Sequence, residues 1–258
     1  MTTAPLTTAS ATASATAAAA VALTVEPFGD SAVMVTVPHT DSAVRRSTIT
    51  AFRDRFLAYR PHGVLDVVSG LESLLIEFDP LETALPHVVH AARLLTERIP
   101  AGDPGRQARP VRRFDVPVVF DETAGPDLAA VAEEVGLAPA EVVEAIAEST
   151  FTIALLGAAM APMMDGLRVP RPVRRRAEPR TDVAPGAVMI AGTNAIIQPF
   201  PGPTGWRVVG RTPHTIVDIS RPDPVAFGTG DLVRFVPVTR DEAAALDAGF
   251  LLPVEVRA

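Results

Sequence analysis

The chain has 258 residues, 48% of them apolar and 21% charged, which fits a globular protein of one large domain or two modest ones. Its formal net charge of -7 gives no attraction to nucleic acid or to an acidic membrane surface, and no apolar run approaches the roughly 18 residues needed to span a bilayer. Cysteine is absent and all 23 basic residues are arginine, which excludes disulfides, thiolate metal sites, a cysteine nucleophile and lysine Schiff-base chemistry.

Residues 1–21, MTTAPLTTASATASATAAAAV, are almost only Ala, Thr and Ser, and the first basic residue is Arg45. Without a positive n-region the tract reads as a disordered tail rather than an export signal, so the expected location is cytoplasmic. Residues 22–99 read as a small α/β domain. ALTVEPFG and SAVMVTVP are β-rich runs around Gly29-Asp30, a hairpin signal. Residues 41–60 read as a helix capped by Asp41, with Ile49, Phe52, Phe56 and Tyr59 on one face. GVLDVVSG and ESLLIEFDP are two further strands, and a second helix over about 82–99 aligns Leu85, Val88, Ala92, Leu95 and Ile99. The order β-β-α-β-β-α fits a small antiparallel sheet covered on one face by two helices.

Residues 100–112, rich in proline, glycine and arginine without periodicity, read as a linker. RFDVPVVF restarts as a strand, and residues 113–245 read as a second domain. A helical pair within 126–149, over about 126–134 and 139–149, is split by Gly136, with Pro139 in the first turn of its second helix. The pair superficially suggests a DNA-reading helix-turn-helix. It carries Asp127, Glu133, Glu134, Glu141, Glu144 and Glu148 and no arginine, a charge that repels phosphates. From 151 onward TIALLG, AVMIAG, AIIQPF, GWRVVG, TIVDI and LVRFVPV alternate with Pro/Gly-rich turns, as in a closed or sandwiched β domain.

FGDSAVMV, SLLIEFDP, VPVVF…GPDLAAVAEEVGL, PRTDVAPGAVMIAG, GWRVVGRTP and GDLVRFVPV stand in the order seen in the allophanate hydrolase subunit 1 family. The chain resembles that family over about residues 25–240. The family includes the B-type subunit of 5-oxoprolinase and Kip-type sensor-kinase inhibitors, and is related to the carboxyltransferase part of urea carboxylase. The resemblance implies an α+β N-terminal domain followed by a cyclophilin-like β-barrel domain. It also implies a homologous partner, a C-type subunit, and, with a third protein, ring opening of 5-oxoproline to glutamate. ATP would be a co-substrate of the complex, and no cofactor would be bound permanently. Three places depart from the family's pattern. Ile146 stands about where a histidine precedes the barrel strand. GAAMAPMMDGL, from Gly157 to Leu167, replaces a Gly-Phe-x-Pro-Gly-Phe-x-Tyr loop, and TNAIIQP, from Thr193 to Pro199, replaces a Gln-Thr-Gly-Ile-Tyr-Pro segment.

The site candidates are weighed against plain structural roles. Arg180, in EPRTDV, and Arg211, in a Gly-Arg-Thr-Pro turn, both match family motifs. Each offers a planar fork suited to a substrate carboxylate or phosphate; each is otherwise a turn arginine paired with a nearby acid. Asn194 and Gln198 flank AII, where a cavity-lining amide orients a carbonyl and a turn amide bonds locally. Met160 and Met163, with Met164, either line an adaptable apolar pocket or fill the core. Trp206 either stacks on a ligand or anchors the barrel. His214, close to Arg211, is the catalytic candidate as a proton carrier, with a surface role as the alternative. His87 and His90 have no third ligand spaced to join them, so no metal is expected. RPVRRRAEPR reads as a solvated basic loop or a docking surface for an acidic partner. A serine-nucleophile motif, a phosphate-cradling loop and a dinucleotide fingerprint are all missing. ATP would therefore bind without a recognisable motif or on the partner.

The expected function is thus a subunit of an ATP-dependent lactam or amide hydrolase, acting on a C–N bond, with a small-molecule ligand in the barrel cleft. The alternatives are a cofactor-free catalyst or binder of an apolar biosynthetic intermediate, of cyclase or isomerase type, and a sensor-kinase inhibitor. Neither nucleic acid nor membrane is an expected partner.

Overall fold

A computed structural model describes residues 22–96 and 110–254. The N-terminal tail, Ile99 and residues 100–109 of the linker lie outside the described residues. The chain divides into two compact units, Met1–Gln107 and Ala108–Ala258. Among the described residues no helix is long and apolar enough to cross a membrane.

The first unit runs β1 (Thr24–Pro27), β2 (Ala32–Thr36), α1 (Ser42–Tyr59), β3 (Val64–Ser69), β4 (Ser73–Phe78) and α2 (Leu85–Thr96). Its four strands pair antiparallel in the order β1-β2-β4-β3. Val33, Val35, Leu74, Ile76 and Phe78 alternate along β2 and β4 and form a buried face with Phe52 and Phe56 of α1 and Val88 and Ala92 of α2. The Phe52 and Phe56 rings stack at 5.8 Å. The Asp41 carboxylate caps α1 by accepting the Ala43 N–H at 2.7 Å. The apolar stripe of α1 is one residue shorter than the spacing predicts: Tyr59 is 68% exposed. Arg60, left-handed at φ 30, ends the helix by returning its N–H to the Phe56 carbonyl, which turns Tyr59 outward. α2 starts at Leu85, later than the expected 82, because Asp79 organises a turn there, accepting the Leu81 N–H at 2.9 Å.

The second unit runs β5 (Arg113–Val118), α3 (Leu128–Val135), α4 (Pro139–Glu148), β6 (Phe151–Leu156), β7 (Pro162–Asp165), β8 (Arg180–Val183), β9 (Ala187–Ala191), β10 (Asn194–Ile197), β11 (Gly202–Thr204), β12 (Arg207–Arg211), β13 (Leu232–Pro237) and α5 (Arg240–Ala245). Seven strands form one sheet in the order β12-β9-β10-β7-β6-β13-β5, and β8 pairs with β11 beside it. β13 runs parallel to β5 and antiparallel to β6. The two edge strands, β12 and β5, meet in a bridge: Val119 donates to the Arg211 carbonyl at 2.9 Å and Arg211 donates to the Val119 carbonyl at 3.0 Å. That rung nearly closes the sheet into a barrel. The α+β unit followed by a cyclophilin-like β-barrel expected from the sequence is the fold observed. Phe114, Phe151, Phe235, Ile153 and Met164 fill the barrel with Val131, Val135, Val142 and Ile146 of α3 and α4.

Two segments differ from their sequence reading. GAAMAPMMDGL is not a loop throughout. Ala159 and Met160 take left-handed φ values of 53 and 61, which reverses the chain into β7, paired with both β6 and β10. TIVDI makes no ladder: Thr215 and Val217 form only isolated bridges, to Phe250 and Val225, while Ile216 and Val217 are buried. Its apolar run reflects burial under neighbouring loops rather than strand pairing.

Close backbone approach fixes how tightly α3 meets the barrel. A Cβ added to Gly125 would lie 2.0 Å from the Val209 carbonyl oxygen. A Cβ added to Gly205 would meet nothing within 4 Å. Gly125→Ala is expected to lower stability by about 3 kcal/mol, read as a fall of roughly 5–10 °C in thermal midpoint, whereas Gly205→Ala is expected to stay within about 0.5 kcal/mol of the parent. Buried Asp231 sets the start of the parallel β5–β13 pair. Its Oδ2 accepts from Arg112 Nη2 at 2.7 Å and from the Gly228 N–H at 2.9 Å, and its Oδ1 accepts the Arg112 N–H at 3.2 Å. Asp231→Ala is expected to cost about 3 kcal/mol in urea unfolding, because it leaves those donors without their acceptor.

Candidate functional site

A cavity of about 730 Å³ opens where the barrel closes, and Arg180, Gln198, Arg211 and His214 all line it. Each is brought there by a different local feature. Gly186, at φ +81, precedes β9 and approaches so closely that a Cβ would sit 2.4 Å from the Thr212 carbonyl oxygen. Its N–H donates to the Gln198 carbonyl at 2.8 Å, and its own carbonyl accepts the Thr212 N–H at 2.9 Å. One glycine thereby joins the segments that carry Gln198 and Arg211.

Arg211 ends β12 at the closing rung. Its backbone is fully used there, while its exposed guanidinium makes no hydrogen bond or ion pair among the described residues. Gly210 allows the approach, since a Cβ would lie 2.7 Å from Val118 Cγ1. Arg180 opens β8 and is held from behind. Its Nη2 and Nε donate to Asp127 at 2.8 and 3.2 Å, and its side chain stays 32% exposed.

Asp127, at the start of α3, is only 2% exposed. It also binds Arg176 Nη1 and accepts the Val208 N–H at 2.9 Å. Burial pushes the Asp127 carboxyl up; the Arg180 hydrogen bond, the Val208 N–H and the charges of Arg180 and Arg176 outweigh it and hold the group below the usual carboxylate range. On the other side of the cavity Arg240 of α5 binds Asp121, whose Oδ1 lies 2.9 Å from Nη2. That hydrogen bond, helped by the Ala124 N–H, lowers the Asp121 carboxyl to about 2.

His214 is half-buried on the same wall, with Nδ1 3.2 Å from the Gly249 carbonyl oxygen. The remaining sequence candidates lie elsewhere in the unit. Asn194 starts β10 opposite Asp165 and does not line the cavity. Met160 packs against the main barrel core and Met163 against a smaller cluster formed by Trp206, Met189, Val208 and their neighbours. Trp206 is buried there under the Arg175 guanidinium, 5.5 Å from the ring centroid. Ile146, where the resemblance implies a histidine, is fully buried in the barrel core.

Three parts of the site were not singled out in the sequence: Asp127, Gly186 and the Asp121–Arg240 pair. RPVRRRAEPR is the largely exposed loop expected, but three of its arginines are tied to acids of the α3 segment. Arg176 and Arg180 bind Asp127, and Arg174 binds Glu134, whose side chain is 8% exposed, at 3.1 Å. The signal that could have revealed this is the pairing of two acids on an otherwise apolar helix face, Asp127 and Glu134, with a nearby arginine-dense segment. Chemically, the cavity offers the Arg211 guanidinium without a protein partner, the Arg180 and Arg240 guanidiniums held by Asp127 and Asp121, the Asp182 carboxylate, an amide, an imidazole and apolar walls. That set suits a small carboxylate with a compact apolar body.

The family model described as carboxyltransferase domain, subdomain C and D, matches residues 23–227. The B-type subunit of 5-oxoprolinase from Escherichia coli O157:H7 is 38% identical over 177 residues, covering 67% of this chain and 78% of that protein. Its counterpart from Haemophilus influenzae, also a B-type 5-oxoprolinase subunit, is 27% identical over 215 residues, covering 83% of this chain and 97% of that protein. In fold, the crystal structure of the Kluyveromyces lactis urea carboxylase matches 86% of this chain with a TM-score of 0.68 at 20% identity, and this chain spans 22% of that longer one. The chain thus belongs to the carboxyltransferase-domain family of subdomains C and D, and within it is similar to the B-type subunits of 5-oxoprolinase.

Proposed function

We propose that this chain is the B-type subunit of an ATP-dependent 5-oxoprolinase, and that the cavity at the barrel closure binds the carboxylate of the lactam. The observation that carries the reading is the Arg211 guanidinium, which faces a cavity without a protein partner. Arg180 presents a second guanidinium whose position Asp127 fixes, so it adds positive potential without a large reorganisation cost. His214 is the imidazole available on that wall to move a proton as the lactam C–N bond opens. Partner subunits supply the remainder of the reaction, and ATP is their shared co-substrate. The alternative of an apolar intermediate drew on the methionine-rich segment, and Met160 and Met163 do not line the cavity.

Glutamate release from 5-oxoproline and ATP, measured with competent A- and C-type subunits, tests the proposal. The parent chain is expected to turn over, and Arg211→Ala to lose about 100-fold or more in kcat/KM. Because the Arg211 side chain is exposed and unpaired, its removal is expected to leave stability within about 0.5 kcal/mol. A complex that stays inactive while an authentic B-type subunit works beside it would end this reading. The anchor behind Arg180 has its own signature. The Asp127 carboxyl is depressed in the folded state, so its contribution is complete above the unfolded value near 3.9 and is lost as pH falls through the folded one. Asp127→Asn is expected to cost about 2 kcal/mol in urea unfolding at neutral pH. Its deficit relative to the parent is expected to shrink below about pH 4.

A further inference from the structure

Thr212 Oγ1 accepts the His214 backbone N–H at 3.3 Å, a local turn after Arg211 in a segment whose residues 211–216 all line one cavity. The His214 Nδ1 lies against the Gly249 carbonyl oxygen. A carbonyl oxygen only accepts, so Nδ1 carries the hydrogen in this bond, and in the neutral ring Nε2 holds a lone pair.

The strap that carries Gly249 is firmly seated. The same carbonyl accepts the Thr215 N–H at 3.2 Å, and Leu251 returns its N–H to Thr215 at 2.9 Å. Val254 donates to the Arg113 carbonyl at 2.7 Å. Leu251 is buried in the barrel core, and the Arg221 guanidinium lies 4.2 Å from the Phe250 ring centroid. A carbonyl held in place beside Nδ1 favours the Nδ1–H tautomer. Gly249 does not line the cavity whereas His214 does. Nδ1 is therefore spent on a residue that does not line the cavity, and Nε2 has no protein partner among the described residues. The other charged groups lining the cavity are Arg180, Arg211, Arg240 and Asp182; ionised Asp182 only accepts and cannot pair with a lone pair, and none of the three arginines donates to His214 among the described residues.

We propose that His214 Nε2 accepts a hydrogen bond from the ligand and selects carboxylates that carry an N–H or O–H donor on the atom next to the carboxylate-bearing carbon. This deepens the carboxylate-site reading and rests on it. A lactam N–H beside a carboxylate is the case it fits. A ligand lacking the donor leaves the Nε2 lone pair unpaired in a half-buried wall, which is penalised.

The test uses the full-length chain labelled with 15N at histidine, the other four signals being assigned by substitution of His39, His62, His87 and His90. The neutral His214 ring is expected to show an Nδ1–H, Nε2-lone-pair pattern. Titration with 5-oxoproline is expected to move the Nε2 resonance. The lactone counterpart, with a ring oxygen in place of the N–H, is expected to bind about tenfold more weakly. In His214→Phe, which keeps a ring of similar bulk, the preference is expected to fall below about twofold while both ligands still depend on Arg211. An Nε2–H tautomer, equal affinity of the parent for lactam and lactone, or binding of neither would overturn the proposal. Loss of the glutamate-release activity with these binding results intact would remove the hydrolase reading and leave the donor selection standing.

Discussion

The Asp127 carboxylate is the interaction on which the barrel's functional edge depends. A carboxylate this deeply buried is tolerable only when its lone pairs are met, and here guanidiniums from two arginines and a backbone N–H meet them. The Asp127 N–H also donates to the Val208 carbonyl at 3.0 Å, so one residue joins the start of α3 to β12 in both directions. Two turns further along α3, Glu134 accepts the Arg174 N–H at 2.7 Å and binds Arg207 Nη2 at 3.4 Å. The arginine-dense segment is the counterpart of those acids, and its order follows from theirs. Arg180 keeps its place at the cavity because its partner cannot leave.

A second constraint is steric. Gly125, Gly186 and Gly210 each stand where a Cβ would meet atoms closer than 3.0 Å. Gly125 seats the α3 turn on β12, Gly210 lets β12 reach β5, and Gly186 brings the β9 entry to Thr212. Closing the barrel removes its unpaired edges, but it does so through one antiparallel rung rather than a full ladder. The cavity lies where that ladder is thinnest, lined by side chains from both sides of the join.

Much of this was legible in the sequence. The antiparallel sheet with two helices followed from the β-rich runs SAVMVTVP and ESLLIEFDP, from the Gly29-Asp30 hairpin signal, and from the Ile49, Phe52, Phe56 and Leu85, Val88, Ala92 stripes, because helical burial leaves a distinct period. Arg180, Arg211, Gln198 and His214 were named from residue type and motif, and they share one cavity. Asn194, Met160, Met163 and Trp206 were named on similar grounds and lie away from it. Nothing local distinguishes the two groups: which face of a strand a residue takes depends on register, and register here is set in part by long-range pairs such as β10 with β7. Asp127 was hidden for a related reason. Its partners lie 49 and 53 positions away in sequence, and an aspartate before an apolar helix reads first as a cap, a role its side chain does not take. TIVDI misled in the opposite sense, since an apolar run records burial without specifying what buries it.

The single rung between Val119 and Arg211 has a thermodynamic consequence. The residue that closes the barrel with its main chain is the one that offers its side chain to the cavity. A ligand that engages that side chain only in the closed barrel would hold the rung shut, and its occupancy and barrel closure would then draw on one linked equilibrium. A bound ligand raises the unfolding free energy by RT ln(1 + [L]/Kd). Amide exchange at Val119 and Arg211 would slow with ligand concentration in the same proportion wherever opening of the join is the route to exchange.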